Sequence, residues 1–252
     1  MIILKGNSEL VLMRKAGDIA SSALRLGGKH VKPGVSTGEI NKIIHKYIED
    51  AGAIPSFLGY GGFPAAACIS VNDVVIHGIP GDMKLSEGDI VSIDVGARYQ
   101  GYHGDCAATF PVGEVSKEAK KLIEVTRQSF FEGIKVAKKG FRVRDIGYAV
   151  QSYVESYGYS VVRSYVGHGV GAALHEAPEV PNFGKPGTGV RLDAGMTIAV
   201  EPMVNAGGAE VTVGADEWTV TTNDHSLSAH YENTILITDG ESEILTVRNL
   251  EV

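Results

Sequence analysis

The chain has 252 residues, 44% of them apolar and 21% charged, with a formal net charge of −7. That composition describes a globular protein with a sizeable core. It lacks the basic face or stripe of a nucleic-acid binder, since Lys120-Lys121 and Lys138-Lys139 read as solvated helix ends.

The chain begins Met-Ile-Ile-Leu-Lys-Gly, which lacks the apolar core of a signal peptide. No stretch approaches the roughly 18 apolar residues needed to cross a bilayer. A first helix is expected over about residues 8–26. The next is an amphipathic helix in which Ile40, Ile43, Ile44, Tyr47 and Ile48 follow the spacing of one helical face. Ser36 and Glu39 form a capping box ahead of it, and Gly52 is its stop. A strand follows at Ile90–Val95, then a helix over about 116–138, an amphipathic segment at 137–158, and a strand at Met196–Glu201. Cys68 and Cys106 are too few for a disulfide framework and are expected as reduced, buried, apolar side chains. A cytoplasmic setting and a monomer are the default expectations, with neither nucleic acid nor membrane as a partner.

The order of elements repeats. At an offset of 106, Gly34 meets Gly140, Ile40 meets Ile146, Tyr47 meets Tyr153, Glu49 meets Glu155 and Gly52 meets Gly158. At an offset of 107, Asp94 meets Glu201 at the end of similar ten-residue segments. His103-Gly104-Asp105 echoes His230-Tyr231-Glu232, and His77-Gly78-Ile79-Pro80 echoes His175-Glu176-Ala177-Pro178. These echoes predict an α+β fold of one domain, 1–252. Within it, two halves of approximately 1–110 and 111–252 are related by a pseudo-two-fold axis, with mostly antiparallel strands and a ligand site at the junction.

Alternation along the strands places Asp94 with Ser92 and Ile90, and Glu201 with Ala199 and Thr197. Each acid then lies on the smaller-residue face of an apolar strand. A lone strand aspartate is more often a turn or ion-pair partner. Four acids converging from both halves, however, would repel one another and need cations. No lysine or arginine is placed to serve them, Arg98 being the nearest in sequence. Carboxylates with an imidazole suit Mn²⁺, Fe²⁺, Co²⁺ or Zn²⁺ rather than a structural zinc site. His168, in Gly167-His168-Gly169-Val170-Gly171, is either a structural hydrogen-bonder or that imidazole.

Together these motifs resemble the type I methionine aminopeptidases of peptidase family M24, which have the pita-bread fold of curved sheet and outer helices. The matching segments are Asn72–Pro80, Ile93-Asp94-Val95-Gly96 with Asp105, Gly167–Gly171 with His175–Pro178, Ala199–Pro202 and His230–Thr234. The resemblance implies two divalent metals held by Asp94, Asp105, His168, Glu201 and Glu232, with Asp105 and Glu232 bridging. It implies hydrolysis by a metal-activated water, with Glu201 in proton transfer, His175 stabilising the tetrahedral intermediate and His77 contacting the substrate backbone. The substrates would be peptides and nascent proteins, cleaved after an N-terminal methionine that precedes a small second residue.

By position, Tyr60, Phe63, Cys68 and Trp218 match the methionine pocket, and Phe57 and Leu174 fall at two further pocket positions. Asn72, Val74 and Ser228 match a monovalent-cation site. Only 25 residues separate His175 from Glu201, which fits type I. The residues ahead of the first helix hold no cysteine, so a cysteine-rich extension there is not expected. The rival readings are an X-Pro dipeptidase or aminopeptidase P, which share the five ligands, and a metal-free peptide-binding relative, which would have lost them.

Overall fold

The computed structural model describes residues 1–246. Its centre is a long hairpin, Ile90–Tyr99 against Tyr102–Pro111, turned at Gln100-Gly101. Every residue from Ile90 to Tyr99 has a cross-strand partner. The pairs Val91–Phe110, Ile93–Ala108, Val95–Cys106 and Ala97–Gly104 make an apolar face, and Ser92–Thr109, Asp94–Ala107 and Gly96–Asp105 make the polar one. The period of two in the sequence thus sends one face to the core and the other to the site.

Four helices cover the apolar side: α1 (Asn7–Lys29), α2 (Thr37–Asp50), α3 (Lys117–Ile134) and α4 (Val143–Ser156). Ile40, Ile44 and Ile48 of α2 are fully buried in the cluster that holds Val91, Ile93 and Val95. The α2 cap is the expected box: Glu39 N–H donates to Ser36 Oγ at 3.2 Å, and Ser36 N–H donates to Glu39 Oε2 at 2.8 Å. Helix α1 lies directly on the hairpin, because Gly104 has no side chain to hold them apart, while the bare face of Gly17 is filled by the Leu245 backbone. A Cβ on Gly104 would stand 2.6 Å from the Gly17 nitrogen.

Five elements differ from expectation in their bounds: the strand from Ile90 runs past Val95 to Tyr99, and the amphipathic segment at 137–158 is helical over Val143–Ser156. Helix α1 runs on to Lys29, since apolar contacts continue through Leu24 and Gly27. Helix α3 has Ser116 as its cap and ends at Ile134, after which Val136 and Ala137 turn back through hydrogen bonds to Gly133 and Ile134. The strand expected at Met196–Glu201 is Thr197–Val200, so Glu201 lies just beyond it, followed by Pro202.

The main sheet is antiparallel throughout. It runs Ile54–Pro55, Ile90–Tyr99, Tyr102–Pro111, Glu232–Leu236, Thr197–Val200, Gly167–Gly169, Glu176–Val180, with Cys68–Val71 also pairing Ile90–Tyr99 and Glu243–Ile244 pairing Glu232–Leu236. Two three-stranded sheets flank it: Ser228–His230 with Met203–Asn205 and Ser160–Val161, and Val211–Val213 with Val220–Thr222 and Val74–Ile76. The sheets are tied at Thr109. Its hydroxyl accepts the His230 N–H at 2.9 Å and donates to the His230 carbonyl at 2.9 Å. No helix among the described residues is long and apolar enough to cross a membrane.

Candidate metal centre and its cavity

The carboxylates converge because of register. Asp94 is paired across the hairpin with Ala107, and Glu232 is paired with Ala107 from the other side. Directly opposed residues share a face. Asp94 and Glu232 therefore flank a single methyl group, while Asp105, two residues from Ala107, projects from the same face. Asn233 pairs with Val200, so the same register sets Glu201 beside Glu232. Gly96, opposite Asp105, adds no side chain to the crowd.

Asp105, Glu201 and Glu232 are buried, at 3%, 9% and 2% exposure. Oδ1 of Asp94, Oδ1 of Asp105, Oε1 of Glu201 and Oε1 of Glu232 are each buried without a hydrogen-bond partner. Among the described residues no lysine or arginine forms an ion pair with any of them. Arg98, four residues along the strand from Asp94, is exposed and lies opposite Ile54 and His103, at the turn end of the hairpin's polar face. Burial raises all four carboxyls. Asp105 is pushed up to about 7, and Asp94, Glu201 and Glu232 rise well above the ordinary range, with repulsion from their neighbours added to burial.

His168 completes the cluster. Its Nδ1–H donates to the Gly169 carbonyl at 2.9 Å, leaving the Nε2 lone pair turned to the acids, 3.5 Å from Glu201 Oε1 and 4.0 Å from Asp105 Oδ2. A ring nitrogen fixed by a backbone carbonyl is the usual way to orient a metal-binding imidazole. Burial, and then His175, hold the His168 pKa down to about 4, so the ring is neutral and able to coordinate. One ligand atom each from Asp105, His168 and Glu232 lie within 4.8 Å of one another. Orphaned anionic oxygens gathered with a neutral imidazole match what divalent cations require.

The cluster floors a cavity of about 220 Å³. This is below the roughly 300 Å³ of pockets for drug-sized ligands, and suits one side chain. Its walls include every position expected of the methionine pocket: Phe57, Tyr60, Phe63, Cys68, Leu174 and Trp218. Phe57, Phe63, Cys68 and Leu174 also pack together as a small apolar cluster. Cys68 and Cys106 are both free and buried. Burial, with the nearby Asp94 and Asp105, drives the Cys68 thiol further from ionising.

His77 and His175 stand at the rim. The His175 ring is 4.1 Å from that of His168, and its Nδ1 is 2.7 Å from the Tyr60 hydroxyl. The His77 ring sits edge-on to Trp218 at 6.2 Å and to Tyr165 at 5.8 Å, with its pKa lowered to about 4 by burial.

Asn72 and Ser228 are joined away from the cavity, where the Ser228 N–H donates to the Asn72 carbonyl at 2.9 Å. Val74 begins the short strand after Asn72, whose φ of 56° marks a tight turn.

One residue escaped the sequence reading. His230 is 2% exposed, its Nε2 lacks a hydrogen-bond partner, and that atom is 3.9 Å from Glu232 Oε2. With Glu201 and Glu232 it forms a second close group of ligand atoms. Burial, and then His77, lower its pKa to about 3. The available signal was its place two residues before Glu232. Its direction was hidden because the chain passes from one sheet to another at Tyr231, between the strands Ser228–His230 and Glu232–Leu236.

A carboxylate cradle open to a small apolar cavity, with imidazoles at its rim, defines a metal-dependent hydrolase. The model of metallopeptidase family M24 matches residues 11–239, and the chain belongs to that family. The methionine aminopeptidase of Clostridium acetobutylicum is 52% identical over 98% of this chain and 99% of its own length. Methionine aminopeptidase 1 of Bacillus subtilis is 52% identical, with the same two coverages. The crystal structure of methionine aminopeptidase from Thermotoga maritima superposes with a TM-score of 0.96 at 48% identity, covering 98% of this chain and 99% of that one. The prolidase from Pyrococcus furiosus, at 24% identity and a TM-score of 0.79, shares the fold, but this chain spans only 66% of it. The α+β pita-bread architecture is thus common to both, and the full-length correspondence lies with the aminopeptidases.

Proposed function

We propose that this enzyme removes the N-terminal methionine from peptides and nascent proteins, preferably where a small residue follows. The observation that carries this reading is the joining of two features: four carboxylates, each with a buried, orphaned oxygen, beside a neutral imidazole, and a one-side-chain cavity walled by aromatic rings and a thiol. A polarizable lining suits a flexible thioether.

Asp94, Asp105, His168, Glu201 and Glu232 would hold two divalent cations, of Mn, Fe, Co or Zn. When bound, these supply a water of lowered pKa and polarise the scissile carbonyl. The protein's own groups do the rest. Glu201, with one oxygen unpartnered, takes up and returns a proton. The hydrogen bond between the Tyr60 hydroxyl and His175 Nδ1 orients the ring, and in the tautomer in which the hydroxyl donates, His175 Nε2–H gives the rim a donor for a developing oxyanion. His77 is neutral at physiological pH and accepts or donates a hydrogen bond to the substrate backbone without bringing a charge. Phe57, Phe63, Cys68, Leu174 and Trp218 exclude water and hold the side chain.

Asn72, Val74 and Ser228 are read as a monovalent-cation site, where carbonyl oxygens have a second lone pair to offer. The halves 1–110 and 111–252 are read as copies of one unit within a single catalytic domain, acting as a cytoplasmic monomer.

The test is cleavage of Met-Ala-Ser against Ala-Pro-Ala across added metals. Preferential release of methionine supports the reading. Preferential cleavage of Ala-Pro-Ala assigns the enzyme to X-Pro peptides instead, and no cleavage with any metal leaves a peptide-binding protein.

A further inference from the structure

Among the described residues Lys5 is the buried lysine, at 6% exposure, and it lies in the segment ahead of α1. Its Nζ donates to Glu176 Oε2 at 2.6 Å and to the Ile3 carbonyl at 3.0 Å. The two side chains are 2% and 10% exposed. Glu176 Oε1 in turn accepts the Ala173 N–H at 3.1 Å, so both carboxylate oxygens are engaged.

This pair closes the loop that ends in His175. From Gly171 to His175 the backbone is irregular, and no strand ladder holds it. The Gly171 N–H donates to Ala173 O at 3.0 Å, and the His103 N–H donates to Gly171 O at 2.9 Å. A Cβ on Gly171 would overlap both Glu176 Oε1 and Lys5 Cε, so the ion pair lies flat against the loop backbone. Lys5 is itself pinned by its own N–H to the Gly195 carbonyl at 2.7 Å, at the turn leading into Thr197–Val200 and Glu201.

Replacing a buried ion pair with apolar groups is often neutral or stabilising, so stability alone is a weak reason to keep one. Its geometry supplies a better reason, because the residue it anchors adjoins the exposed His175. We propose that Lys5 is a positioning residue for catalysis: acting through Glu176, it sets where His175 stands at the cavity rim. The proposal rests on the reading of His175 as a substrate contact.

The experiment measures kcat and KM on Met-Ala-Ser, and Mn²⁺ affinity by calorimetry, for Lys5→Met, His175→Ala and the double variant. Small displacements of a catalytic group lower rates by up to about 100-fold. Lys5→Met is expected to lower kcat on the order of 10-fold or more. KM and metal affinity should stay within about twofold, and Lys5→Arg should restore most of the rate. In the His175→Ala background, Lys5→Met should have no further effect. An equal loss in that background, or an unchanged kcat in Lys5→Met alone, overturns the proposal. An unchanged kcat in His175→Ala instead overturns the reading of His175 and the proposal with it. Should Lys5→Met fail to fold, Glu176→Gln carries the same test, because it keeps an acceptor for the Ala173 N–H while removing the charge.

Discussion

Asp94 and Glu232 are both Cα partners of Ala107, one from each side, and so face each other across a single methyl group. The space between the two carboxylates is set by the smallness of that side chain, which is itself fully buried. Ala107→Leu should therefore fill the cation space directly. Overpacking of this kind destabilises by about 1–3 kcal/mol, while divalent-metal binding measured by calorimetry should be lost. A variant that binds metal like the parent would show that the cations lie elsewhere.

The metal-free site stores protons. Burial pushes Asp105 up to about 7 and raises Asp94, Glu201 and Glu232 in the same direction. The folded chain then keeps protons that the unfolded chain releases above its ordinary carboxylate pKa of about 4. Because the folded state binds more protons between about pH 4 and 7, its stability falls as pH rises through that window. Divalent cations bind the ionised forms, so metal uptake at pH 6 should eject protons. Titration in two buffers of different ionisation heat measures the number released. Equal apparent heats in both, together with a melting temperature of metal-free protein that does not fall from pH 5 to pH 7, would refute this.

Thr109 joins the hairpin to the strand of His230 through two hydrogen bonds at 2.9 Å each. Thr109→Val keeps the shape and leaves the buried His230 N–H and carbonyl without that partner. A loss of about 1–3 kcal/mol in urea-unfolding stability is expected, and metal affinity should fall as well if this bridge holds Glu232 in place.

Ser36 caps α2 and does not line the cavity. Ser36→Ala should lower stability by about 1 kcal/mol with no change in kcat/KM. A change in kcat/KM would mean that α2 does more than support the hairpin.

Much of this was legible before folding. The alternation at Ile90–Val95 announced which face Asp94 occupies, and the Ser36-Glu39 pair announced where α2 begins, because both are properties of a short stretch of backbone. The grouping of Asp105 with Glu232 came only from an internal echo and a family resemblance, since their meeting depends on a register between strands more than a hundred residues apart in sequence. His230 was passed over for the same reason, its direction being set by a change of sheet at Tyr231.

The sequence by itself determined the chemistry: which carboxylates and imidazoles exist, their strand faces and their motif order. Tertiary structure decided the spacing. It set Ala107 between two acids, turned His168 Nε2 toward Glu201 through a bond to its own neighbour's carbonyl, and laid Lys5 against Glu176 across 171 positions of sequence. Local periodicity encodes which way a side chain points, but the distance between two side chains depends on every layer packed between them. A lone lysine near the start of a chain carries no local sign of the loop it will hold.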